Sequence, residues 1–159
     1  MHAECILPPS RERWLTAAII YKDVNPPVNY GTSYNLLICG DRAGNIYVYD
    51  LKYIYFDTVI NIDISRKPIQ TLNKIHGKIG VQSFCIFEEN LITSGRDGML
   101  RFYQIHLIKD SFIYTKPLVM LHKKKMPMDW ISGMLKVNTK KIGGMEKNEI
   151  FFVFGFKQV

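Results

Sequence analysis

Long apolar runs are missing from this 159-residue chain. No stretch reaches the roughly 18 apolar residues that a membrane-spanning helix needs, so no membrane role is expected. Cysteine is scarce as well. Cys5, Cys39 and Cys85 are odd in number and widely spaced, which signals neither a disulfide framework nor a metal site. The opening residues, Met-His-Ala-Glu-Cys-Ile-Leu-Pro-Pro, lack the basic flank and apolar core of a secretory signal. A cytoplasmic location is the expectation. Motifs that carry chemistry are also wanting: there is no nucleophile elbow, no paired His/Cys spacing and no methyl-donor motif. Gly40-Asp41-Arg42-Ala43-Gly44 does not read as a phosphate loop, because it joins two strand-like runs instead of leading into a helix. No catalytic residue, cofactor or metal is expected, and the chain is read as a non-enzyme. Acidic residues are the scarcer charge, 14 against 21 basic ones, and the net +7 favours acidic partners such as nucleic acid.

What is present is apolar and aromatic enough, at 47% and 13%, to exclude a disordered chain. The organising stretch is residues 91–104, Leu-Ile-Thr-Ser-Gly-Arg-Asp-Gly-Met-Leu-Arg-Phe-Tyr-Gln. A short strand leads into a tight turn with two glycines, and an alternating, aromatic-rich strand leaves it. Residues 36–49 repeat this arrangement. A small residue followed by glycine stands at Cys39-Gly40 and Ser94-Gly95, and a looser step stands at Phe154-Gly155, giving spacings of 55 and 60. Self-similarity at such a period predicts stacked or radial repeats.

Taken in order, residues 1–13 form a frayed, Pro-containing lead-in, and residues 14–21 an apolar run of strand length. Residues 22–34 read as a loop, with strands at about 35–39 and 45–50. Residues 51–67 read as an insertion, and 67–72 as an outer strand with Pro68 at its start, where a missing donor is tolerated. Strands are expected near 81–87, 91–94, 99–105 and 111–121. A last repeat opens at 129–137, breaks at 140–147 and resumes at 150–154. Three blades follow, at about 14–72, 76–121 and 128–159, the last incomplete. A closed propeller needs about four blades, so the chain is expected to be a fragment of a larger propeller protein. A complete small β domain is the alternative.

Ser94-Gly95-Arg96-Asp97-Gly98-Met99-Leu100-Arg101-Phe102-Tyr103-Gln104 resembles the end of a WD repeat, the unit of WD-repeat β-propellers. Tyr103-Gln104 stands where Trp-Asp would be, Ala43 takes the turn-aspartate place upstream, and His76-Gly77 is similar to the repeat's opening Gly-His in reversed order. The resemblance implies a buried hydrogen-bonded set of His76, Ser94 and Asp97. Those three look superficially like a hydrolase triad, but no site surrounds them. Four further segments, in order, are similar to one branch of the family. They are Cys39-Gly40-Asp41-Arg42-Ala43-Gly44, Ile75-His76-Gly77-Lys78-Ile79-Gly80-Val81, Thr93-Ser94-Gly95-Arg96-Asp97-Gly98 and Met128-Asp129-Trp130-Ile131-Ser132-Gly133-Met134. That branch comprises non-catalytic partners of FtsJ-type tRNA 2′-O-ribose methyltransferases acting at the wobble nucleotide. The resemblance therefore implies a scaffold that binds tRNA and such a methyltransferase. A protein-interaction propeller and an enzyme with an unrecognised site are the other readings.

Candidate RNA contacts under the first reading are Arg42, Lys78 and Arg96, since loops between strands are where binding residues collect. Turn residues pointing into water are the simpler account of Arg42 and Arg96. Lys123, Lys124 and Lys125 form the densest basic run. A solvated loop before Pro127 accounts for that run as well, because charge runs mostly face water.

Overall fold

Among the described residues, short runs of β-branched and aromatic residues form ten strands. They are β1 (Leu15–Lys22), β2 (Asn35–Asp41), β3 (Ile46–Asp50), β4 (Gln70–Leu72), β5 (Val81–Phe87), β6 (Asn90–Gly95), β7 (Met99–Ile105), β8 (Leu118–Lys125), β9 (Trp130–Lys140) and β10 (Lys147–Phe156). The computed structural model describes residues 5–9, 14–22, 35–51, 67–106, 116–140 and 147–157. The expected loop at 23–34, the insertion at 52–66, the start of the outer strand at 111–115 and the break at 141–146 lie outside the described residues. The strands make three antiparallel sheets, ordered β1-β2-β3-β4, β5-β6-β7-β8 and β9-β10. Among the described residues the one helical turn is a 3₁₀ turn at Gly77–Ile79. The protein is all-β, and its sheets are the blades of a propeller, the third represented by two strands.

Register shows how the blades repeat. Leu15 pairs with Asp41 and Ala17 with Gly40, which leaves Thr16 as a bulge. Val81 pairs with Gly95 and Ser83 with Ser94, leaving Gln82. In the third sheet Gly155 pairs with Ile131 and Phe154 with Gly133, leaving Ser132. An extra residue at the same place in each first strand bends it and tightens its twist there. The residue answering to Gly95 is therefore Asp41, one place beyond Gly40, so the first two blades are offset by 54 residues where the glycine spacing predicts 55. Glycine at the end of strand two is matched by register only between Gly95 and Gly155.

Period-2 alternation then sends alternate side chains of each blade to its two neighbours. Leu36, Ile38, Ile46 and Val48 from blade one meet Val81, Leu91, Tyr103 and Leu118 from blade two in one buried cluster. The opposite face of blade two sends Ile92 and Leu100 against Ile131 of blade three. The outer face of blade one, with Cys39, Tyr47 and Tyr49, packs against Cys5 and Leu7. Residues 5–9 are thus not a frayed lead-in: their apolar side chains cover that face, and Tyr49 Oη donates to Ile6 O at 2.9 Å. Burial among these residues, with Cys5 alongside, pushes the Cys39 thiol up to about 11, which leaves it an inert core residue.

Two hydrogen-bonded ties bridge the first two blades. Thr16, the bulge residue, donates its hydroxyl to Val81 O at 2.5 Å. At the outer strands the Gln70 amide donates to Leu118 O at 2.9 Å and accepts from Leu118 N at 2.8 Å, so one side chain stands in for a strand partner. The outer strand β8 runs to Lys125, which places Lys123–Lys125 on a strand and not in a solvated loop. Backbone pairing of Met99 with Lys125 holds that end, and exposed lysines there are typical of an edge strand protected from further pairing.

Two tyrosines at equivalent positions make opposite predictions. Tyr103 is buried, and its Oη has no hydrogen-bond partner among the described residues. Tyr103→Phe is expected to be neutral or to stabilise by up to about 1 kcal/mol, because an unpaired buried hydroxyl is costly. Tyr49→Phe should instead destabilise by about 1 kcal/mol through loss of its bond to Ile6 O. Urea midpoints of the two variants check this pair.

Candidate nucleic-acid interface

Two turns of the same build, residues 41–45 and 95–99, position the candidate residues. Both share one closing backbone bond, Gly44 N to Asp41 O at 3.1 Å and Gly98 N to Gly95 O at 3.2 Å, and in the first turn Asp41 N also donates to Asn45 O at 3.0 Å. Positive φ at Gly44 (81°) and Gly98 (66°) explains why glycine recurs at the last turn position. Arg42 and Arg96 both sit directly after the residue that opens the turn, and both are exposed. Each turn also seats the chain that leads to the next blade, through His76 N to Gly44 O at 3.3 Å and Met126 N to Gly98 O at 3.0 Å.

The His76 set is assembled by strand parity. Thr93 and Gly95 share one face of β6, and a Cβ at Gly95 would collide with the His76 ring, so the bare glycine makes room for the imidazole. His76 Nδ1 lies 3.0 Å from Asp97 Oδ1, and Nε2 lies 2.8 Å from Thr93 Oγ1. An ionised carboxylate has no proton to give, so Nδ1 carries the hydrogen and Nε2 accepts from the threonine hydroxyl. Ser94 points to the opposite face and pairs with Ser83 at 2.8 Å. The strand hydroxyl expected from Ser94 is therefore supplied by Thr93, one residue earlier, because adjacent strand residues face opposite ways.

Arg101, directly across from Thr93, completes the set. Its Nη1 donates to Asp97 Oδ2 at 2.9 Å and approaches His76 Nδ1 at 2.8 Å. Asp97 Oδ1 also accepts from Met99 N at 3.1 Å. Burial works to raise the Asp97 carboxyl, but its bonds to His76 and Arg101 outweigh that and hold it at about 2. Burial pushes the His76 imidazole below its ordinary value, against the pull of Asp97, so the ring is neutral. With every ring nitrogen occupied, this group ties structure together and offers no free nucleophile or base.

Blade one solves the same position differently, and the motif reading missed it. Asp41, at the place of Gly95, is itself buried and takes hydrogen bonds from Asn45 N (2.8 Å), Asn45 Nδ2 (2.9 Å) and Tyr47 Oη (2.8 Å). Asn45 Oδ1 then accepts from Lys74 N at 2.9 Å. The visible signal is Asp at the start of the turn with Asn four residues on, a spacing that favours side-chain to backbone bonding.

The basic candidates are spread over this surface. Arg42 Cζ lies 5.3 Å from the Trp14 ring centroid, and Arg96 Cζ lies 4.0 Å from that of Trp130. Arg96 Nε also donates to Gln82 Oε1 at 3.2 Å. Lys78 belongs to the 3₁₀ turn, and its side chain lies outside the described residues. Lys123, Lys124 and Lys125 are exposed, and Lys125 Nζ donates to Asp97 O at 2.9 Å, which brings its charge onto the 95–99 turn.

No family model matches the chain. It is 27% identical over 157 residues to "tRNA (34-2'-O)-methyltransferase regulator WDR6" of Bos taurus, covering 83% of this chain and 12% of that protein. The Homo sapiens protein of the same name is 26% identical over 151 residues, covering 81% and 12%, and that of Mus musculus 25% over 170 residues, covering 91% and 14%. The chain resembles WD-repeat proteins. It spans 12–14% of the length of these WD-repeat relatives. In WD-repeat terms the turn aspartate is Asp97 and the strand hydroxyl is Thr93, while Tyr103 stands at the place of the repeat's tryptophan.

Asp97→Ala is expected to cost about 1–3 kcal/mol by stranding the buried imidazole. The pH dependence has a definite sign. Asp97 is held below its unfolded value of 3.8, so its contribution is complete above that pH and disappears as pH falls toward about 2. His76 is also depressed, so the unfolded chain gains a proton first and stability begins to decline below about pH 6.5. Asp97→Ala should flatten the step below about pH 4 in denaturation midpoints. Thr93→Val should move the His76 Nε2 nitrogen resonance, and Ser94→Ala should leave it in place.

Proposed function

We propose that this chain is part of a non-catalytic, cytoplasmic WD-repeat scaffold for tRNA modification. It binds tRNA and an FtsJ-type methyltransferase and directs 2′-O-ribose methylation of the wobble nucleotide. The observation that carries this reading is the likeness, over 81–91% of the chain, to proteins named as regulators of a tRNA (34-2'-O)-methyltransferase. The net charge of +7 and the exposed Arg42, Arg96 and Lys123–Lys125 agree with a polyanionic partner. The pairing of His76, Thr93 and Asp97 supports a structural role for the groups that most resemble catalytic ones.

On this reading the protein acts by placement. Holding an RNA and an enzyme in one geometry replaces a bimolecular encounter with an intramolecular one and raises the local concentration of the ribose hydroxyl at the methyl donor. The chemistry belongs to the partner enzyme. Contacts to RNA are then mainly to phosphates and to shape.

Depleting the protein should abolish 2′-O-methylation at the wobble position of particular tRNAs, read by mass spectrometry of purified tRNA. The isolated protein should transfer no methyl group. Its tRNA affinity should fall about tenfold or more between roughly 50 and 200 mM salt, as phosphate contacts release counterions. Intact wobble methylation after depletion would leave a protein-interaction propeller as the better account.

A further inference from the structure

The chain has two tryptophans, and both lie beside these turns. Register makes them equivalent: Trp14 precedes Leu15, the partner of Asp41, and Trp130 precedes Ile131, the partner of Gly155. Gly80 takes that place in blade two, and a Cβ there would crowd the Arg42 backbone at 3.0 Å. Trp14 is 69% exposed and Trp130 40%, although each ring carries an arginine over it. Phe156, which follows Gly155 and so holds the position of Arg42 and Arg96 in blade three, is 68% exposed. The five residues therefore place aromatic rings and guanidinium planes along one end of the sheets. Lys125 stands behind them at the end of β8, and Asp97 and Asp129 are acids beside them, the first paired with His76 and Arg101.

Among the described residues the core does not cover these rings, and a surface turn has no need of them. Aromatic faces and guanidinium planes are what unpaired nucleic-acid bases stack on, whereas a duplex hides its base faces within the helix. A guanidinium already lying over an indole retains an outer face for a base and gains cation–π attraction on the inner one. Lysines behind the platform suit the phosphates of the same strand. We propose that Trp14, Arg42, Arg96, Trp130 and Phe156 form a stacking platform for unpaired bases of single-stranded RNA, such as a loop. This rests on the reading that the chain binds RNA and names the surface and the nucleotide state that it takes.

Because both tryptophans sit on the platform, their fluorescence reports on it directly. The full 159-residue chain is titrated with an unstructured single-stranded RNA of about 12 nucleotides and with a duplex of equal length, a span suited to one such groove. Tryptophan emission is read alongside the polarisation of a labelled copy of each RNA. Saturable quenching by the single strand and little by the duplex is the expected result. Trp130→Ala should weaken binding at least about fivefold, Trp130→Phe should retain most of it, and circular dichroism should match the parent for both. If Trp130→Ala does not fold, Arg96→Lys serves instead, since it keeps the charge and removes the plane. Binding seen by polarisation with unchanged emission and no effect of these variants would overturn the platform while leaving RNA binding intact. Equal quenching by the duplex would overturn stacking in favour of charge alone. Absence of binding to either RNA would remove both this inference and the reading beneath it.

Discussion

The imidazole of His76 occupies the space that a side chain at position 95 would fill, and the joint between the first two blades is built on that exchange. Gly95 leaves a hollow on β6, and the ring that enters it comes from the segment connecting blade one to blade two. A buried ring with two polar nitrogens is tolerable only if both are satisfied. The threonine on the same strand face and the aspartate in the following turn meet that demand, and Arg101 balances the aspartate. Blade one keeps the hollow but fills it from within, with the Asp41 carboxylate held by Asn45 and Tyr47. The two blades thus share a shape and differ in the polar group that occupies it.

Much of the architecture was legible because strands and tight turns leave local marks. Alternation located the strands, and Gly98 marked a backbone that needs positive φ. What was not legible depends on parity and on distance along the chain. Choosing Ser94 over Thr93 is a one-residue error, and in a strand one residue reverses the face. Gly40 looked like the counterpart of Gly95, yet the matching bulges at Thr16 and Gln82 make Gly40 the counterpart of Ser94 and Asp41 that of Gly95. The lysine run read as a loop because charge says nothing about backbone pairing on an exposed outer strand. Arg101 and Trp130 lie in segments that carry the resemblance, but nothing local marks what they touch. They gain meaning only when β7 lies beside β6 and β9 arrives next to the 95–99 turn.

The repeat is also more regular in its backbone than in its side chains. All three first strands bulge at one place, and two turns share the same closing bond. Backbone geometry of this kind tolerates many sequences, provided that glycine or a polar residue with a partner stands where room is short. This agrees with a likeness to WD-repeat relatives at only 25–27% identity over most of the chain.

The paired ties between the first two blades carry a mechanical meaning. Thr16 grips Val81 on the first strands, and Gln70 grips Leu118 on the outer ones, so the two sheets are pinned along two separate lines. One pin permits pivoting, and two forbid it. Torque applied to the outer strand of either blade is therefore transmitted to its neighbour as a rigid rotation, and the interface resists twisting without any covalent cross-link.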